Sequence, residues 1–193
     1  MITQTCAYEG NLEKMKKLLD QGIDINLKTH TGKSPIHIAV SQNDMKMVEY
    51  LLSLEEIDLH SIDNEGNSPL FYACYNGNED IAEKLISKHA LFETNQNRLA
   101  FTLCQKALVN DLVSLKLFDH AGANLESSDY DKRTWGHIAA AENHEPILQY
   151  LSKETKFDFD LKDRWGLSVI DEIKDEGLRQ IIRQQFQSNE RNK

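Results

Sequence analysis

Two of the seven histidines, three cysteines and a surplus of carboxylates are the residues of this chain whose pattern could suggest chemistry. A Cys beside a His and an Asp can form an activated nucleophile. Three or four convergent His, Cys or carboxylate side chains can hold a metal. The spacing argues against both. His37 and His137 lie 100 residues apart at one phase of a 33-residue period, and the same phase elsewhere holds Phe71, Cys104 and Asp171. A group that changes from repeat to repeat is not a repeated catalyst. Cys6, Cys74 and Cys104 are irregularly spaced, and no nucleophile motif frames them. Cys74 and Cys104 fall at inward helical phases and read as small buried side chains. The expectation is no enzyme activity, no catalytic residue, no metal and no cofactor.

The elements that position these residues follow from six stops. Gly10, Asn43, Gly77, Asn110, Asn143 and Gly177 fall 33 or 34 apart. Gly and Asn best tolerate the left-handed conformation that ends a helix. Together they make up 23 of 193 residues, too few for six hits in one register by chance. A period near 33 with a helix stop at constant phase marks a stacked-repeat protein. In the second repeat, Gly32-Lys33 makes a turn, Ser34 an N-cap and Pro35 the first helical residue. Ile36, Ala39 and Val40 give one apolar face, and Met47, Val48, Leu51 and Leu52 a second. The third repeat copies this through Ser68-Pro69-Leu70-Phe71, and the fifth through Thr134-Trp135-Gly136-His137. The fourth departs: Leu99 stands where a turn Gly belongs, so its turn is expected to be irregular or shortened with its helices intact.

The wording Ser34-Pro35-Ile36-His37-Ile38-Ala39, with its copy at 134–139, a Gly/Asn stop and a Leu-Leu pair, resembles the ankyrin repeat. The resemblance implies an all-α ankyrin-repeat solenoid of turn–helix–helix repeats, whose turns project as fingers and line a concave face with the first helices. It also implies that the motif histidines bond backbone of their own or a neighbouring turn, and that the face binds another protein. The expected repeats are 1–28 (N-terminal cap), 29–62, 63–95, 96–128 (degenerate), 129–162 and 163–187 (C-terminal cap), in one domain. A polar tail, 188–193, should fray, and Ile181, Ile182 and Phe186 should share the last helix's apolar face. Asp129 to Thr134, His137 to Glu142 and Lys162 to Gly166 are similar to the C-terminal ankyrin tails of glutaminases. The fourth repeat is similar to one in the tail of large asparaginase–lysophospholipase proteins.

Candidate partner-binding residues are those that vary at the finger tips and on the first helices: His30, Lys33, Asn64, Glu65, Tyr75, Tyr130, Asp131, Arg133, Glu142, Arg164 and Trp165. For Trp165 two readings stand. It packs back on the last repeat, which the Asp-Arg-Trp of the similar tails favours, or it is an exposed anchor. A net charge of −9 repels nucleic acid and favours a protein partner with basic patches, alone or within a larger complex. The odd cysteine count, the lack of a leader pattern and the lack of a ~20-residue apolar run lead to the expectation of a cytoplasmic protein, the nucleus remaining open, with no membrane insertion. The leading expectation is a non-catalytic scaffold. The alternative is a regulatory or assembly module related to the ankyrin tail of a glutaminase/asparaginase-type hydrolase.

Overall fold

In a computed structural model, residues 2–191 are described, with side chains for residues 3–186. They form twelve helices and no strand longer than an isolated bridge. The chain divides into two compact units: residues 1–95 with 120–123, and residues 96–119 with 124–193. A single array was expected from the sequence. The main division falls at the start of the fourth repeat, where the finger motif is lost.

The first unit holds α1 (Ile2–Tyr8), α2 (Leu12–Asp20), α3 (Pro35–Ser41), α4 (Met45–Leu52), α5 (Pro69–Tyr75) and α6 (Glu79–Ser87). The second holds α7 (Gln96–Leu108), most of α8 (Leu112–His120), α9 (Trp135–Ala141), α10 (Glu145–Glu154), α11 (Val169–Glu172) and α12 (Glu176–Arg191). The two helices of each repeat are joined by a corner of three residues. The stop residue takes φ near +60°: 61° at Gly10, 61° at Asn43, 66° at Gly77, 58° at Asn110 and 57° at Asn143. The amide after each stop bonds the carbonyl five residues back, as in Asn11 to Cys6 and Asp44 to Ala39. That same residue then caps the next helix. Asn11, Asp44, Asn78 and Asp111 accept from amides three residues on, at 3.0–3.1 Å.

Gly177 departs from this scheme. It lies inside α12 and is not among the positive-φ residues. The last repeat ends its first helix after four residues, at Glu172, and so has no stop at the common phase. The fourth repeat departs in the opposite way. Its first helix begins at Gln96, six residues before the common phase, so helix replaces the finger altogether. The expectation of intact helices holds, and the shortened turn is a missing one. The polar tail expected to fray continues α12 to Arg191, while Asn192 and Lys193 lie outside the described residues.

The core runs along the repeats. Ile36, Val48 and Leu51 are fully buried in the first unit, as are Phe118, Trp135, Ile147, Leu148 and Phe159 in the second. Trp135 donates its indole N–H to Leu125 O at 2.7 Å and meets Phe157 edge-on at 6.2 Å. Gly136 makes room for that ring, since a Cβ there would stand 2.8 Å from Phe157 Cζ. On α12, Leu178 and Ile182 are buried and Phe186 meets Phe159, one helical turn apart each. Ile181 is off that stripe and 46% exposed, contrary to the sequence reading.

His37 holds the second repeat to the third. Its Nδ1 lies 2.8 Å from Ser34 Oγ and 3.3 Å from Ser34 N, closing a capping box, and its Nε2 meets Asn67 O at 3.2 Å. His137 repeats this with Thr134 and Leu167 O. Both imidazoles bond their own cap and the neighbouring turn, as the resemblance implied.

Two outcomes follow. Gly136→Ala should destabilise by about 1–3 kcal/mol in denaturant melts, despite alanine's better helix propensity, because the methyl overpacks Phe157. Burial lowers the His37 pKa from 6.5 to about 4, outweighing the Asn67 carbonyl bond that favours the charged ring. The unfolded chain then binds the extra proton first. Stability from neutral His37 is present above pH 6.5 and is lost as pH falls from 6.5 to 4, by about 3 kcal/mol. Comparing native and His37→Gln melts across that window should show the native chain losing more.

Candidate functional site

The fingers are built alike. Asp63 Oδ1 accepts the amides of Glu65 and Asn67 at 2.9 and 3.0 Å. Asp129 does the same for Asp131 and Arg133, and Asp163 for Trp165 and Leu167. In the second repeat Thr29 Oγ1 takes the Lys33 amide at 3.1 Å. A short polar side chain bonding the backbone ahead of it fixes each loop without burying apolar surface. Neighbouring fingers also join: Asn64 N donates to Thr31 O at 3.0 Å, and Arg164 N to Asp131 O at 2.8 Å. The tips are therefore held rigidly while their side chains face solvent.

In the first unit, His30 is exposed and its carbonyl accepts Asn64 Nδ2 at 2.9 Å. Glu65 accepts from Asn67 at 3.2 Å. Asn67 itself is fully buried and accepts from Thr94 at 2.7 Å, so it belongs to the framework. Tyr75, 41% exposed, stacks on Phe71 at 6.1 Å. Lys33 lays its ammonium 4.2 Å over the Tyr72 ring.

In the second unit, Tyr130, Asp131, Arg164 and Trp165 come together. The Arg164 guanidinium stands 5.9 Å from the Tyr130 ring centre and 5.5 Å from that of Trp165, and pairs with Asp131 at 2.7 Å. Tyr130 is 94% exposed and Trp165 63%. The favoured reading of Trp165 as packed against the last repeat is therefore corrected. Its amide is tied to Asp163, but the tip projects the ring away from the core and leaves Arg164 as its neighbour. Glu142 is exposed at the C-cap of α9, apart from this cluster.

Arg133 is otherwise occupied. One of its guanidinium nitrogens straddles both oxygens of Glu172 at 2.9 and 2.7 Å, with only 24% and 12% of the two side chains exposed. Lys33 and Arg133 share one phase, and so do their partners Tyr72 and Glu172. The pair keeps its geometry while its chemistry changes. The Tyr72 hydroxyl also donates to Asp63 Oδ2 at 2.6 Å. With Glu172 in its place, Asp163 Oδ2 is buried without a partner.

The first helices carry a further contact. Asn76 donates to Val40 O and Ser41 O, at 3.5 and 3.2 Å. Gln42, its carboxamide oriented to donate, reaches Ala7 O and Tyr8 O at 3.0 and 3.3 Å. Each closes the C-terminal carbonyls of the first helix before it. Glu142 has no such donor at this phase. There His144 Nε2 meets Leu108 O at 3.2 Å instead, and its ring does not cap α10.

Sequence reasoning missed Lys132, Glu172 and Phe101. Lys132 could have been found as the non-Gly at the turn-glycine phase. Phe101, 60% exposed, gave no signal because its phase belongs to an N-cap in the other repeats. Burial pushes Cys74 and Cys104 up to about 12, and raises Cys6 as well, so none is a ready nucleophile. Among the described residues no group of three His, Cys, Asp or Glu could hold a metal, and no helix is long and apolar enough to cross a membrane.

Comparison with known proteins agrees with this architecture. The family profile for ankyrin repeats, in three copies, matches residues 4–98. An L-asparaginase of Dirofilaria immitis is 30% identical over 145 residues, 75% of this chain and 24% of that one. A putative glutaminase 2 of Caenorhabditis elegans is 41% identical over 68 residues, 35% of this chain and 11% of that one. The chain thus spans a quarter or less of the length of these relatives. A chain in the structure of the Bd0816 predatory endopeptidase from Bdellovibrio bacteriovorus with immunity protein Bd3460 superposes with a TM-score of 0.70. That match covers 95% of this chain and 97% of the other at 21% identity, a likeness of fold. With its stops, capping-box histidines, linked fingers and matched repeats, the chain belongs to the all-α ankyrin-repeat family.

Proposed function

We propose that this chain is a non-catalytic scaffold that binds a partner protein through its fingers and the first-helix positions beside them. The observation that carries this reading is the contrast at the fingers. Their backbones are over-determined by Asp and Thr caps, while Tyr130 and Trp165 lie open to solvent. Rigid presentation lowers the ordering cost of association, and exposed Tyr, Trp and Arg are the side chains that dominate interfaces.

The charge is uneven in a way that bears on partner choice. Residues 1–95 hold 8 Lys and Arg against 15 Asp and Glu, net −7. Residues 96–193 hold 14 against 16, net −2. A partner with basic patches therefore suits the first unit. The proposed binding residues are His30, Asn64, Glu65 and Tyr75 there, and Tyr130, Asp131, Arg164, Trp165 and Glu142 in the second. Lys33 and Arg133 hold the framework, and partner contacts are not assigned to them.

A second reading rests on the asparaginase and glutaminase similarity, which supports a regulatory or assembly module of such a hydrolase. The isolated chain should then turn over neither glutamine nor asparagine in an ammonia-release assay, yet should co-purify with a hydrolase subunit. Turnover abolished by changing one Cys or His would defeat both readings.

For the scaffold reading, Tyr130→Ala with Trp165→Ala should weaken partner binding by about tenfold or more in calorimetric titration. Far-ultraviolet helicity and melting temperature should stay unchanged. Unaltered binding would remove these fingers from the interface.

A further inference from the structure

The tip of the fifth repeat's finger breaks a rule the others keep. Gly32, Gly66 and Gly166 occupy the turn position with φ of 79°, 82° and 82°. Lys132 occupies it with φ of 60°, and its amide closes the same turn, to Asp129 O at 3.0 Å. Only Lys132 and His89 among the described residues combine a positive φ with a side chain other than that of Asn. Histidine is one of the types enriched in that region and lysine is not. A left-handed lysine costs stability that glycine would spare. No ion pair to a described residue offsets that cost. The carboxylates of the finger are Asp129, whose Oδ1 takes two turn amides, and Asp131, which is paired with Arg164.

Lys132 lies two residues from Tyr130, the most exposed large hydrophobic side chain among the described residues of the second unit. Across the adjoining tip stand Arg164, 52% exposed at its side chain, and Trp165. Two cations and two open aromatic rings thus crown two adjoining fingers; of the three carboxylates on these fingers, Asp129 and Asp163 take turn amides and Asp131 pairs with Arg164. The two fingers, 129–133 and 163–167, hold three basic and three acidic residues, against −9 for the whole chain.

We infer that the tips of the fifth and sixth repeats form a docking point for an acidic segment of the partner protein. Carboxylates of that segment meet Lys132 and Arg164, and an adjacent apolar or aromatic side chain rests against Tyr130 and Trp165. This inference rests on the scaffold reading and deepens it by naming the chemistry of one contact. A protein segment fits better than nucleic acid, because the remainder of the chain repels a polyanion along its length. Arg164 exchanges its internal Asp131 for a partner carboxylate. Lys132 gains a counter-charge at a backbone position selected against on stability alone.

The test uses the full chain, immobilised and panned against a displayed library of short random peptides. Enriched peptides should pair Asp or Glu with a neighbouring Leu, Phe, Tyr or Trp. A synthetic peptide of the enriched sequence should bind about tenfold more weakly to Lys132→Gly and to Arg164→Ala, and more weakly at high salt. The Lys132→Gly melting temperature should be unchanged or raised by about 2–4 °C, since relief of strain leaves folding intact. Enriched peptides without acidic residues, bound equally by Lys132→Gly, would overturn this contact and leave the scaffold reading standing. No enrichment by the native chain would overturn both. A lower melting temperature in Lys132→Gly would make the lysine structural and defeat the inference. So would tighter binding of a single-stranded oligonucleotide than of the acidic peptide.

Discussion

This fold hangs on the last two residues of a three-residue corner. One residue enters the left-handed region, and the amide after it reaches back to the carbonyl five residues before. The next helix starts at once, because that second residue is also its cap. Two short helices, neither stable alone, are thereby forced side by side with their apolar faces on the same side. The core, the finger spacing and the register of neighbouring repeats all inherit their geometry from that corner. Where the left-handed residue is absent, in the last repeat, the first helix shrinks to Val169–Glu172.

A second constraint works at the other end of each repeat. In three repeats, one oxygen of Asp63, Asp129 or Asp163 takes two amides of the finger it opens, and the tip is fixed by polar bonds. Function can then vary at the tip without disturbing the fold. The same division appears in the pair Lys33–Tyr72 and its counterpart Arg133–Glu172. The geometry is kept while a cation over a ring is exchanged for an ion pair. Positions that vary between repeats are therefore of two kinds, and only those facing solvent are free to meet a partner.

Much of this was legible in the sequence. Five of six stops, the N-caps at Ser34, Ser68 and Thr134, and the capping-box bonds of His37 and His137 depend on interactions within a few residues of each other, which local wording encodes. Gly177 misled because its phase matched while the preceding helix was too short to need a stop. Gln96 to Phe101 misled because a missing turn motif does not say what replaces it, and here a helix does. Trp165 and Arg133 were harder still. Whether a side chain at a tip folds back or stands out depends on its counterpart 30 to 40 residues away: Glu172 draws Arg133 in, and nothing comparable covers Trp165. The exposure of Ile181 follows from which face of α12 meets Phe159, a matter of helix rotation that composition does not carry.

The carboxamides of Gln42 and Asn76 give the stack a direction. In the first unit, the second and third repeats each close the helix end of the one before. Removing a later repeat would strand carbonyls in its predecessor, whereas removing an earlier one would merely return an amide to water. The coupling between repeats is thus polar, like a row of tiles each overlapping its neighbour on one side. At the same phase the fourth repeat offers Val109, which has nothing to donate.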